Sequence, residues 1–149
     1  MPIVSALDPV DAALRERRPL GIAPVTAAGK LFARNGEPFY LRGVTYGTFA
    51  PDENGDQFPP QKQVLADFRA IAANGFNVVR SYTMPPARIF DAALECKLQI
   101  LAGVYWEQHI NFLDDKDRAR DIRRRFGEQV RSCHGHQGLF GFTLANEIP

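Results

Sequence analysis

The sequence predicts an α/β fold of parallel βα units that form the first half of a (β/α)8 barrel. Three observations carry that prediction. Short apolar runs alternate with amphipathic stretches of helical period from about residue 39 onward, which is the pattern of repeated βαβ units. No glycine-rich phosphate loop follows the first of these strands, which weighs against a doubly wound nucleotide-binding sheet. Every predicted strand ends in polar or aromatic residues: Tyr46, Arg80 with Tyr82, Trp106 with Glu107, and Asn146 with Glu147. In a barrel those ends share one rim, where active sites are built. A complete barrel takes about 250 residues, so 149 residues supply strands one to four.

Taken in order, residues 1–30 read as an N-terminal linker or extension, and residues 31–149 as the half barrel. Pro2, Pro9, Pro19 and Pro24 interrupt the first segment, which has room for one short helix around Arg15-Glu16-Arg17-Arg18. Leu31 to Tyr40 holds an Asn35-Gly36 turn between apolar residues and predicts a small hairpin. Phe39 to Thr48 is the first core strand, and a loop rich in Pro, Asp and Gly follows over residues 49–60. Gln61 to Asn74 is a helix with Val64, Phe68, Ile71 and Ala72 inward, stopped by Asn74-Gly75.

Phe76 to Tyr82 is the second strand. Pro85-Pro86 opens a helix to about Lys97, in whose first turn proline is tolerated. Ile89, Phe90, Ala93 and Leu94 form its inner face. Leu98 to Trp106 is nearly continuous in apolar residues, as a parallel strand covered on both faces should be. Asp114 and Asp115 offer caps for a third helix with the stripe Ile122, Phe126, Val130 and Cys133. Gly138 to Ala145 is the fourth strand.

Composition narrows the function. With 45% hydrophobic residues the chain can bury a core, and a net charge of +1 favours neither nucleic acid nor an anionic membrane. The arginines of the third helix read as a solvated face. Cys96 and Cys133 lack zinc spacing and read as free, buried thiols. His134-Gly135-His136 lacks further ligands, so neither a metal nor another cofactor is expected. No run of 18 apolar residues and no apolar leader core appear. Localisation is therefore open, with the cytoplasm as the default.

The strand ends carry the chemistry. Glu147, after an apolar strand, is placed to act as a general acid if desolvation raises its pKa, and Asn146 to donate to a sugar hydroxyl. The bland reading is a surface pair, or a Glu at a helix start. Arg80 at a buried strand end needs a carboxylate partner, in a catalytic rim or in a structural ion pair. Tyr46, Tyr82, Tyr105 and Trp106 offer faces on which sugar rings stack, each equally at home in a core; Trp106, beside Glu107, is the preferred platform.

Three segments together resemble the opening half of a clan A glycoside hydrolase: Asn35-Gly-Glu-Pro-Phe-Tyr-Leu-Arg-Gly-Val44, Gly75-Phe-Asn-Val-Val-Arg80, and Leu139-Phe-Gly-Phe running to Asn146-Glu147. The likeness extends over residues 31–149, and its nearest flavours are the family 2 β-galactosidase/β-glucuronidase barrel and the family 72 β-1,3-glucanosyltransferases. The resemblance implies a retaining β-glycosidase acting on a poly- or oligosaccharide, with Glu147 as acid/base, Asn146 beside it and Arg80 helping to hold the nucleophile. Tyr46, Tyr82, Trp106 and Glu107 are then expected at the substrate.

The family's nucleophile, a Glu ending strand seven, has no counterpart in this sequence. The third strand also ends differently from family 2, in Tyr105-Trp-Glu-Gln108. The chain is thus expected to be inactive alone, with open strand edges that invite self-association or a missing C-terminal half. The other readings are a transglycosylase, and a non-catalytic carbohydrate-binding accessory module of a glycosyltransferase system.

Overall fold

The computed structural model describes residues 21–107, 109–112 and 114–145. The helix considered near Arg15 and the rim pair Asn146 and Glu147 lie outside the described residues. Two sheets are present. A three-stranded antiparallel sheet is formed by β1 (Val25–Ala28), β2 (Leu31–Arg34) and β3 (Glu37–Phe39). A four-stranded parallel sheet runs in the order β4 (Gly43–Thr45), β5 (Val78–Arg80), β6 (Gln99–Gly103) and β7 (Leu139–Thr143). Helices α1 (Gln61–Ala73), α2 (Ala87–Glu95) and α3 (Lys116–Cys133) connect its strands.

Strand order follows chain order, and the helices lie on one face. Val64 and Phe68 of α1, Ile89, Phe90, Ala92 and Ala93 of α2, and Cys133 of α3 share a single buried cluster with Val79, Ile100 and Ala102 of the sheet. A doubly wound sheet reverses direction and covers both faces with helices. Sequential order with one-sided cover is the geometry of a barrel wall.

The predicted hairpin is β2–β3, in which Asn35 and Gly36 take φ of 53° and 83°. Both central residues thus occupy the left-handed region that a two-residue type I′ turn demands. Val25–Ala28, inside the stretch read as linker, forms β1 and pairs along β2 from Val25↔Arg34 to Ala28↔Leu31. The first core strand is shorter than expected, because Phe39 closes the hairpin and the parallel ladder starts at Gly43. Hydrogen bonds from Tyr46 N to Arg80 O (2.9 Å), Ser81 N to Leu101 O (3.1 Å) and Val104 N to Thr143 O (3.0 Å) carry the ladders to the rim.

The helices start and stop where local chemistry directs. Asn74 ends α1, and Pro86 stands just before the first turn of α2 rather than within it. Asp115 caps α3 by accepting from Asp117 N (3.1 Å) and Arg118 N (2.9 Å). Both cysteines are free and buried. No helix among the described residues is long and apolar enough to cross a membrane.

The hairpin sheet closes the amino-terminal end of the parallel sheet. Gln99, the first residue of β6 and 2% exposed, accepts from Arg34 Nη2 at 2.5 Å and donates to Gln137 O at 3.2 Å. A bulge between Ile100 and Leu101 leaves Phe140 without an opposite residue in β6. Its ring packs instead on Phe32 and Phe39 of the hairpin, with centroids 5.3 and 6.1 Å away. Bulges re-aim side chains in this way.

Candidate functional site

The carboxyl ends of the parallel strands meet at one level. Arg80 is in register with Thr45 of β4 and with Leu101 of β6, and Leu101 with Gly141 of β7. Gly103 lets the ends of β5 and β6 close up, since a Cβ there would run into the carbonyls of Ser81 and Tyr82. Around it lies a cavity of about 50 Å³ whose lining includes Arg80, Tyr82, Tyr105, Trp106, Thr143 and Ala145. The Arg80 guanidinium stands 4.8 Å from the centre of the Tyr82 ring, within cation–π range. Three of the residues singled out from sequence, Arg80, Tyr82 and Trp106, are thus brought together.

The other described candidates are placed differently. Tyr46 is only 9% exposed and packs edge-on against Phe49 and Phe68, at 4.9 and 5.1 Å. Its hydroxyl donates to Asp67 Oδ2 at 2.6 Å. Burial first, and the Asp67 carboxylate second, push that phenol well above its usual range. Tyr46 was expected to face substrate; it is a core residue that ties the end of β4 to α1, because α1 supplies both the apolar cover and the acceptor.

Glu107 is engaged by α3. Arg125 grips both its carboxylate oxygens, at 3.0 and 2.6 Å, and also donates to Asp121 at 2.8 Å. These hydrogen bonds hold the Glu107 carboxyl below the usual range and raise the Arg125 guanidinium. The side chain expected at the sugar is therefore an ionised acceptor, bidentate to an arginine on the neighbouring helix. Trp106 is half-buried: its Nε1 donates to Leu144 O at 2.6 Å and its ring meets Phe112 edge-on at 5.2 Å. It joins the ends of β6 and β7.

The exposed rings of this rim are Tyr82, at 40%, and Tyr105, at 60%. Tyr105 was passed over in favour of Trp106, yet it has the sequence parity of Leu101 and Gly103, and that alternation was the available signal. Gln129 of α3 fixes its backbone from both sides, accepting from Tyr105 N at 3.1 Å and donating to Tyr105 O at 2.9 Å. His136 of the candidate metal pair accepts from Gly138 N at 3.0 Å through Nδ1 and meets Asp91 at 3.2 Å through Nε2. Among the described residues no cluster of three or more His, Cys, Asp or Glu could hold a metal ion.

One-sided helices on a sequentially ordered parallel sheet, with polar and aromatic side chains gathered at the strand ends, define part of a (β/α)8 barrel. Solved structures share this fold. A Gas2 complex aligns with a TM-score of 0.65 at 17% identity, covering 85% of this chain and 32% of that one. An FMN-binding β-glucuronidase from Facaelibacterium prausnitzii L2-6 aligns with a TM-score of 0.64 at 19% identity, over 84% of this chain and 19% of that one. Bacteroides uniformis β-glucuronidase 2 aligns with a TM-score of 0.61 at 17% identity, over 80% and 14%.

In sequence, the chain is 22% identical over 135 residues to the 1,3-beta-glucanosyltransferase gel1 of Aspergillus fumigatus, covering 85% of this chain. It spans 29% of the length of that relative. No protein-family model matches the chain.

Proposed function

We propose that the chain forms the acid/base half of a carbohydrate-active barrel that cleaves the O-glycosidic bonds of a poly- or oligosaccharide with retention, Glu147 serving as general acid and then base and the nucleophile coming from the barrel's other half. The observation that carries this reading is the rim cavity shared by Arg80, Tyr82, Trp106 and Ala145. In the sequence Ala145 leads directly into Asn146 and Glu147. A general acid for the leaving alkoxide is a carboxyl kept protonated near neutrality by desolvation, the role proposed for Glu147. Asn146 hydrogen-bonds the sugar beside the scissile bond, and Arg80 orients the partner carboxylate.

A retaining mechanism requires that second carboxylate at about 5–5.5 Å from the first. Glu107, bound by Arg125, is not assigned to it. Similarity to a glucanosyltransferase over 85% of the chain favours a second reading within the same chemistry, in which a sugar acceptor replaces water in the last step.

The test is Glu147→Gln in the full-length protein, where the complete barrel supplies both carboxylates. Turnover of glycosides with poor leaving groups should fall by a factor of about 10²–10⁴, and aryl glycosides with good leaving groups should lose far less in the cleavage step. Equal activity of variant and wild type on the poor leaving groups removes Glu147 from the acid role.

A further inference from the structure

The ladder between β6 and β7 stops short of the residues to which the chemistry is assigned. Among the described residues its last backbone hydrogen bond runs from Val104 N to Thr143 O at 3.0 Å. Leu144 and Ala145 follow, Leu144 exposed, and the sequence then reads Asn146-Glu147. Strand ends without ladder bonds fray. A general acid carried on a fraying end loses the alignment that proton transfer requires.

Beyond the ladder, a side chain ties the two strand ends together. The indole Nε1 of Trp106 donates to Leu144 O at 2.6 Å, three positions before Glu147. Its ring packs with Phe112 at 5.2 Å and borders an apolar cavity of about 310 Å³ that Ile122, Phe126 and Leu144 also line. The polar handle of the indole is thus engaged inside the protein, as a partly buried Trp N–H requires.

Trp106 is in turn held on both sides by α3. On the residue before it, Gln129 accepts from Tyr105 N at 3.1 Å and donates to Tyr105 O at 2.9 Å. On the residue after it, Arg125 grips both carboxylate oxygens of Glu107, at 3.0 and 2.6 Å. Arg125 and Gln129 stand four residues apart on α3, so both reach from one face of the helix. We infer that Trp106 is a positioning residue for the acid/base: clamped by α3, its indole N–H fixes the stem of β7 from which Asn146 and Glu147 follow. The inference rests on the glycosidase reading of Glu147 and adds the part that aims it. Trp106 then acts through the strand, in place of the sugar platform expected from the sequence.

The experiment is steady-state kinetics of Trp106→Phe in the full-length protein, where the complete barrel supplies both carboxylates. Two glycosides of one sugar are compared, one with an alkyl leaving group and one with a nitrophenyl leaving group. Cleavage of the first needs the acid's proton, and cleavage of the second does not. Trp106→Phe keeps an aromatic ring and removes the N–H. On the alkyl glycoside kcat should fall about 10–100-fold, as a slightly misplaced catalytic group costs, with KM unchanged. On the nitrophenyl glycoside kcat/KM should fall far less. Glu107→Gln keeps the shape of the clasp and removes its charge, so it should give the same leaving-group pattern at a smaller fold-change. That variant carries the test if Trp106→Phe does not fold. The inference is overturned if both glycosides lose activity alike, if KM rises with kcat unchanged as for a platform, or if variant and wild type are equal. Should Glu147→Gln be selective for the alkyl glycoside and Trp106→Phe not, the glycosidase reading stands and only this inference falls. Should Glu147→Gln lack that selectivity too, both fall.

Discussion

The two ends of the parallel sheet differ in what their polar groups are for. At the amino-terminal end the hairpin sheet lies against the strands, and Gln99 spends its amide on Arg34 and the backbone of the following segment. At the carboxyl end Tyr82 and Tyr105 stay exposed and Arg80 lines a cavity. The first end spends Gln99 in the fold, although Arg34 there also lines a cavity of about 600 Å³, and the second keeps the rings of Tyr82 and Tyr105 exposed. Separation of stability from chemistry along one axis lets loops at one rim change without loosening the core.

The largest expected effect erases the difference. Phe90 is fully buried in the cluster shared by helices and sheet, so Phe90→Ala should cost about 3–5 kcal/mol. Denaturant unfolding should show it, with rim and hairpin lost together. A smaller loss, or loss of one end only, would mean that the two ends are not built on one core.

Next comes a change confined to the closed end. Gln99→Leu keeps the volume but takes the acceptor from Arg34, whose Nε is already buried without a partner among the described residues. Burial also lowers the Arg34 pKa, so its charge is poorly solvated. The expected cost is about 2 kcal/mol, with sugar binding unchanged in the remaining folded protein. A parallel loss of binding affinity would show that the closed end also shapes the rim.

Much of this architecture was legible in the sequence. The Asn35-Gly36 turn, the inward stripe of α1 and the Asp115 cap all follow from rules that act over a few residues. What escaped were pairings across elements. Gln99 interrupts an apolar run by one residue, and only Arg34, 65 positions away, explains why it is tolerated. Glu107 read as a rim carboxylate because Arg125 meets it from another element. Tyr46 reads the same as a platform or as a core ring until Phe68 and Asp67 are known to face it. β1 was hidden because its pairing with β2, rather than its own composition, makes it a strand.

At the open end the stability cost should be smaller. Tyr46→Phe removes one hydrogen bond to a carboxylate that Gln63 also serves at 2.7 Å, so about 1 kcal/mol is expected. Tyr82→Ala, at an exposed ring, should change stability by less than about 0.5 kcal/mol while weakening sugar binding. Thermal melts and titrations of the same samples separate the two. A rim residue that cost more stability than Tyr46 would blur the contrast between the ends.

The smallest effect concerns the clasp between Glu107 at the end of β6 and Arg125 on α3. Hydrogen bonds from Arg125 lower the folded-state pKa of Glu107, and hydrogen bonds from Arg124 and Arg125 lower that of Asp121. For a depressed carboxyl, the stabilisation is present above its unfolded value and is lost as pH falls through the folded one. Arg125→Gln should therefore be slightly less stable than wild type near neutrality, and the gap should close as the solution is acidified below about pH 4. Added salt should narrow it too, because these side chains are about a third to a half exposed. Denaturation midpoints of both proteins across that range give the comparison directly. A gap that persisted in acid would mean that Arg125 acts through packing of its stem against the rim rather than through its charge.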